Sequence, residues 1–476
     1  MRASVESSTK GNHAKLVSLE IDEPPSRRES IVDPHAMKTG GDLISSVLAI
    51  IKGMVGPAIL YLPHGFATAG YIIALPIMAL STIMYLHSSK CLLDAWKFET
   101  HRMELAQEVE PLQQHESSFP SRDVQESQRT SPTSPQLSYP ELAFRAYGKR
   151  GEALVKIGIA AMQSGVCLTY FIFVPHNLTS SVQSMAGVNI SPNVWLVVMV
   201  LIQIPLCWIR DISHFTITNS IANLMILYGL VTCLGFAIQE AVQGASAVAM
   251  VNVATHWHSL AALEPGWFLF IGTSVLLFEG SITLLVPLQE SVQQPLDRAR
   301  FPKVYKRVIL SIVCFFAVFG ITCWMAFGND VKTVLTTSLP EGFMATTVQL
   351  AYSIAVIFTF PLQFWPCLDI STRSIQMALT TKCRASILFH YNVVSSILVC
   401  LLALVAVTTM NSLDKVVSLM GSLLGCPIAF VFPPLIHIQL DPNLPSRRIQ
   451  CNYIVAGLGL VSMVVASIAT IIQWGA

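Results

Sequence analysis

The stretch Lys52-Gly53-Met54-Val55-Gly56-Pro57 decides how this chain is read, because it sets two glycines and a proline near the middle of an otherwise apolar run, roughly 43 to 68. Pro57 brings no amide hydrogen and disfavours helix at the residue before it. Inside lipid every backbone group must find a partner, so a break survives only where it is buried or lines a cavity. Two half-helices are therefore expected, joined by an unwound stretch. Its bare amides and carbonyls can meet a zwitterion, with a half-helix N-terminus facing a carboxylate. A proline kink that merely packs is the competing reading.

The composition agrees with a membrane setting. Of 476 residues, 53% are hydrophobic and 12% charged, with a mean hydropathy of +0.58. Soluble domains carry roughly 25% charged residues. A formal net charge of +1 supplies no basic field for nucleic acid. The 11 cysteines form no CxxC pair and no disulfide spacing, and read as small buried residues or thiols facing a reducing compartment. No phosphate loop, nucleophile elbow or HExxH motif occurs, so neither ATP hydrolysis nor enzyme chemistry is expected, and no cofactor. His256-Trp257-His258 lacks a third ligand and is read as no metal site.

Apolar runs long enough to cross a bilayer as helix fall at roughly 43–68, 71–92, 153–181, 194–209, 215–239, 266–288, 306–327, 343–366, 386–409, 413–438 and 452–472. The expectation is an all-α integral membrane protein of eleven transmembrane helices. Residues 1–40 read as a disordered tail and no signal peptide, and about 97–138, rich in Glu, Gln, Ser and Pro, as a disordered loop insertion in a transporter domain spanning 41–476. Every Lys and Arg except Lys52, Lys332 and Lys415 falls on one side if the N-terminus is cytosolic, which sends the C-terminus to a lumen or the exterior. The sequons Asn177-Leu178-Thr179 and Asn189-Ile190-Ser191 fall on that far side.

A second interruption, Phe278-Glu279-Gly280-Ser281, lies in the sixth run. An ionised carboxylate at mid-membrane costs about 3 kcal/mol, so Glu279 must be paired, protonated or solvated. Lys52 is the one basic residue at comparable depth, and an ion pair between them would serve either as a coupling charge or as a structural brace. The two breaks stand five spans apart. That is the pattern of an inverted five-plus-five repeat with the eleventh helix added, the site lying where the halves meet. Gln163, Cys167 and Tyr170 share one face of the third run and offer hydrogen-bonding groups to a cavity or to a helix contact.

Val55-Gly56-Pro57-Ala58-Ile59-Leu60-Tyr61-Leu62-Pro63-His64-Gly65-Phe66, then Ala69-Gly70, resembles the first-helix motif of the amino acid/auxin permease family. Phe278-Glu279-Gly280 with Val286-Pro287-Leu288 and Glu290 is similar to that family's sixth helix. Further matches are Ser138-Tyr139-Pro140-Glu141-Leu142, Ala326-Phe327-Gly328, Pro361-Leu362-Gln363-Phe364, Leu419-Met420-Gly421-Ser422 and Phe432-Pro433-Pro434. The resemblance covers about 39–472 outside the long loop and is nearest to the branch of proton-coupled and vacuolar amino acid transporters. It implies a LeuT-type fold and alternating-access transport of neutral amino acids, coupled to a proton or sodium, in a vacuolar, endolysosomal or plasma membrane. Substrate contacts would come from Gly53, Met54, Val55, Gly56, Phe278, Gly280, Gln163 and Tyr170. Ser353 and Thr359, on the helix that faces the first in this architecture, would complete a cation site. The turn before Lys52 reads Val47-Leu48-Ala49-Ile50-Ile51, without the His that some proton-coupled members carry there. The rival classes are an amino acid sensor of the same fold, a channel and an integral-membrane enzyme. They differ from the transporter in binding without flux, flux without accumulation, and chemistry at a nucleophile.

Overall fold

The computed structural model describes residues 43–115, 137–209, 215–243, 266–292, 294–328, 330–378 and 384–474. The first run divides as expected. Helix α1 (Leu43–Met54) is followed by a 3-10 turn over Pro57–Tyr61 and then α2 (Leu62–Ala69), with a bend of 41° between the two parts. Gly70, at φ 69°, stops α2 and lets the chain reverse into α3 (Tyr71–His115).

Helix α3 continues well past residue 97, where disorder was expected to start. Met103-Glu104-Leu105-Ala106-Gln107-Glu108 are strong helix formers, whatever their polarity. The buried carboxylate of Glu99 is also held by Arg102 (3.3 Å) and by Arg145 of the next helix (3.0 Å). The remainder of that loop, 116–136, and the tail 1–42 lie outside the described residues.

Helix α4 (Tyr139–Ala186) starts on a capping Ser138, whose Oγ accepts from the Glu141 amide at 3.4 Å, and bends at Gly148. Tyr139 is buried, with its hydroxyl donating to Ile428 O at 2.8 Å, so Tyr139-Pro140-Glu141-Leu142 is a helix start anchored on the π-helical stretch of the tenth run. From Val166 to Val174 every residue is buried, as a helix apolar on all sides must be. This is the central post of the fold.

Against α4 pack α5 (Pro192–Cys207), α11 (Phe343–Ala378) and α12 (Arg384–Thr409), while α6 (Phe215–Gln243) lies against α11 and against α10 (Pro295–Phe327). The sixth run comprises α7 (Gly266–Leu276), α8 (Glu279–Ile282) and α9 (Leu285–Ser291). The tenth is α13 (Leu413–Leu419), a π-helical stretch from Met420 to Val431 interrupted at Cys426, and α14 (Phe432–Leu440); α15 (Ser446–Trp474) closes the chain. Helices α6, α12 and α15 carry exposed Leu, Ile and Val on their outer faces, the lipid side of a membrane domain. Among the described residues nine helices are long and apolar enough to cross a bilayer, ten if the bent α1–α2 pair is one span. The expected span missing from this set is the fourth, α5. Its 16 residues reach only about 24 Å, short of a hydrocarbon core of about 30 Å.

The ten described cysteines, all but Cys383, are free, and six of these are buried. Asn177 is fully buried, its amide donating to Phe173 O at 3.0 Å and its Oδ1 accepting from Thr336. That sequon is therefore a packing residue and reports nothing on orientation.

Candidate functional site

The two breaks touch. A Cβ added at Gly280 would stand 1.9 Å from the Gly53 carbonyl oxygen, and one at Gly53 would stand 3.1 Å from the carbonyl oxygen of Gly280. Only glycine at 280 lets the two backbones come this close. In the first break the Val55 amide still reaches Ile51 O (2.8 Å), but the Gly56 amide turns back to Met54 O (3.0 Å) and Gly56 is extended (φ −126°, ψ −169°). Pro57 has no amide to offer Gly53 O, so that carbonyl loses its helical donor.

The second break is gentler than expected. Phe278 and Ser281 donate three residues back, to Val275 (3.0 Å) and Phe278 (3.2 Å), and the linking residues keep right-handed helical angles. With no proline before Pro287, the amides there stay available and the run loosens into tight turns without opening.

Three chambers line up along the broken runs. The central one, about 460 Å³, is walled by Gly53, Met54, Gly56 and Pro57 on one side and by Leu276, Leu277, Glu279 and Gly280 on the other. Helix α4 adds Val166, Thr169 and Tyr170, and α11 adds Gln363, the hydrogen-bonding neighbour of Tyr170. An outer chamber of about 320 Å³ carries His64, Thr68, Thr333 and Asp414, and Tyr61 lines both it and the central one. His64 Nδ1 donates to Val331 O at 2.9 Å. An inner chamber of about 280 Å³ lies between Met162 and Gln163 of α4, Ile282 and Thr283 of the sixth run, and Ile428 of the π-helical stretch. Glu279 is the residue shared by the central and inner chambers.

Of the residues singled out from sequence, Gly53, Met54, Gly56, Gly280 and Tyr170 meet in the central chamber, and Gln163 lines the inner one. Val55 lines neither. Phe278 is fully buried away from both, stacked on Tyr85 of α3 with ring centroids 4.4 Å apart. Ser353 and Thr359 donate to carbonyls of their own helix, Gln349 O (2.8 Å) and Val356 O (3.2 Å), and neither lines a chamber described here. The expected ion pair is not formed: Lys52 is exposed, and Glu279 Oε1 is buried without a hydrogen-bond partner. Successive helical residues point about 100° apart. With Gly53 turned onto Gly280, Lys52 falls on the outer face beside Leu48, one turn earlier.

Sequence reasoning missed Tyr61, Thr169, Gln363 and Thr283. Gln363 sits inside the quoted Pro361-Leu362-Gln363-Phe364, and Tyr61 lies seven residues after Met54 on the far side of the break, where helical periodicity no longer predicts a shared face. His256-Trp257-His258 lies outside the described residues. Among those described, no cluster of three His, Cys, Asp or Glu could hold a metal.

The family described as "Transmembrane amino acid transporter protein" matches residues 124–472. Vacuolar amino acid transporter 3 of Saccharomyces cerevisiae is 28% identical over 460 residues, covering 94% of this chain and 58% of that protein. Vacuolar amino acid transporter 4 of the same yeast is 29% identical over 335 residues, 65% of this chain and 45% of that one. Amino acid transporter ANT1 of Arabidopsis thaliana is 25% identical over 459 residues, 93% and 96% of the two chains. The chain spans about half the length of the yeast relatives it matches. Among solved structures, MHP1, a nucleobase-cation-symport-1 family transporter in a closed conformation with bromovinylhydantoin bound, aligns with a TM-score of 0.49 at 11% identity, over 94% of this chain and 96% of that one.

Proposed function

The chain belongs to the transmembrane amino acid transporter family, and on that footing we propose that it carries neutral amino acids across a membrane by alternating access, driven by an ion gradient. Its family and its named relatives are transporters, not enzymes. The observation that carries the reading is the contact of Gly53 with Gly280 in the wall of the central chamber, beside the first run, whose break leaves main-chain groups without helical donors. An α-carboxylate would face the start of the 3-10 turn at Pro57–Ala58, where the helix dipole is positive. An ammonium group would take carbonyls left without helical donors, Gly53 O among them. Val166, Leu276 and Leu277 would receive an uncharged side chain.

Tyr61 and Glu279 close the central chamber from its neighbours, so opening either side alone would give alternating access. The five-plus-five inverted repeat, a cytosolic N-terminus and a vacuolar, endolysosomal or plasma membrane location belong to the same reading. The vacuolar names of the yeast relatives support the first two locations. The test is uptake of labelled neutral amino acids by vesicles holding the whole chain under an imposed ion gradient. Accumulation above equilibrium is expected for at least one of them. Correctly inserted protein that moves none would overturn the proposal.

A further inference from the structure

We infer that the outer face of α10 is a docking stripe for a phosphoinositide, an anionic phospholipid whose headgroup bears phosphate monoesters. The stripe lies outside the chambers and begins in the sequence. Arg298-Ala299-Arg300-Phe301-Pro302-Lys303-Val304-Tyr305-Lys306-Arg307 sets five basic residues just before the apolar part of the seventh run. Successive helical residues turn by about 100°, so Arg300, Lys303 and Arg307 share an arc of about 60°. The same face continues through Leu310, Cys314 and Val318, all six within about 80°. All six are exposed.

The opposite face holds this one outward. Phe301, Tyr305, Ile309 and Phe316 are buried, and the Tyr305 hydroxyl is hydrogen-bonded to that of Tyr85 in α3. A helix pinned along one side is not free to roll. The 33 residues of α10 reach about 50 Å, against about 30 Å of hydrocarbon. The surplus lies at the start of the helix, because the apolar run ends with it at Phe327. Arg300 and Lys303 therefore stand at headgroup level, with Arg307 able to snorkel to it, while Leu310, Cys314 and Val318 lie against acyl chains. Charge followed by hydrocarbon along one face is the profile of a phospholipid.

Charge complementarity selects the headgroup. The bias of Lys and Arg to one side of a membrane accounts for basic residues at this end of α10, but not for three on one face without counter-ions. Other basic side chains at this end of the molecule reach carboxylates, Arg145 to Glu99 (3.0 Å), Lys156 to Glu152 (2.7 Å) and Arg448 to Asp94 (3.9 Å). Among the described residues no salt bridge reaches Arg300, Lys303 or Arg307. One phosphodiester brings a single negative charge and would leave two of the three unmet. A phosphate monoester brings nearly two, with three acceptor oxygens that suit the guanidinium fork. Arg300 and Arg307 stand about 10 Å apart along the axis, which spreads the cations over more than one phosphate.

The test places the full chain in phosphatidylcholine vesicles with a few per cent of spin-labelled phosphatidylinositol bisphosphate, and reads the probe immobilised on the protein by electron paramagnetic resonance. Immobilised probe is expected. Arg300→Gln, Lys303→Gln and Arg307→Gln together should weaken its affinity by about 100-fold, at about fivefold for each charge. Lys149→Gln, Arg150→Gln and Arg447→Gln remove as many exposed charges at the same end of other helices, and should change it by about threefold at most. An equal loss in the two triple variants, or equal retention of spin-labelled phosphatidylserine, would reduce the stripe to a diffuse positive field and overturn the proposal. So would the absence of any immobilised probe. Uptake does not enter the readout, so failure of the transport reading would leave this result standing, and the reverse.

Discussion

Gly280 has no room for a side chain, and its substitution separates a packing contact from an idle glycine. Gly280→Ala would drive a methyl into the Gly53 carbonyl, so uptake is expected to fall by about tenfold or more, with a lower melting temperature. Gly457→Ala, where nothing lies within 4 Å, is the matched control and should gain at most about 1 kcal/mol from helix propensity. Lys52 gives the opposite expectation. Breaking a buried ion pair costs about 3–5 kcal/mol, but Lys52 is exposed, so Lys52→Gln should change stability by about 0.5 kcal/mol at most in a thermal melt. The glycines were legible because their chemistry is a matter of backbone, which a sequence states outright. The direction in which Lys52 points was not, because it depends on how α1 rolls against α8.

At the level of elements, the break in the first run depends on one missing amide. Pro57→Ala returns a donor four residues after Gly53, and a proline within a helix costs about 3 kcal/mol. The variant should therefore be at least as stable as the parent in a thermal melt while its amino acid uptake drops, a combination that a purely structural kink would not produce. A second link ties the sixth run to the start of α4. Glu290 Oε1 accepts from the Leu137 amide (2.7 Å) and from the Trp96 indole (3.1 Å), and Arg298 donates to Glu290 O (3.0 Å). Glu290→Ala strands two donors, so a loss of about 1–3 kcal/mol is expected in a thermal melt. The long reach of α3 escaped a composition argument because Glu, Gln and Leu suit a helix as well as a loop, and what decides is the Glu99 anchor on Arg145. The mildness of the second break followed from a proline that comes late, a distinction of degree that a glycine alone does not signal.

For the whole molecule, the claim is that two imperfect helices cross and leave a chamber between them, sealed on one side by Tyr61 and on the other by Glu279. The run of apolar segments and the two break positions were readable in advance, since each is local. The seals were not, because Tyr61 gains its place only when the outer chamber forms from residues as distant as Thr68, Thr333 and Asp414. The most direct measurement is an experimental density map of the full chain with a transported neutral amino acid. Density for the ligand is expected among Met54, Gly56, Tyr170, Gln363 and Gly280, with its carboxylate toward Pro57–Ala58. A ligand seated anywhere else, or an unbroken helix running through Gly56, would contradict the account.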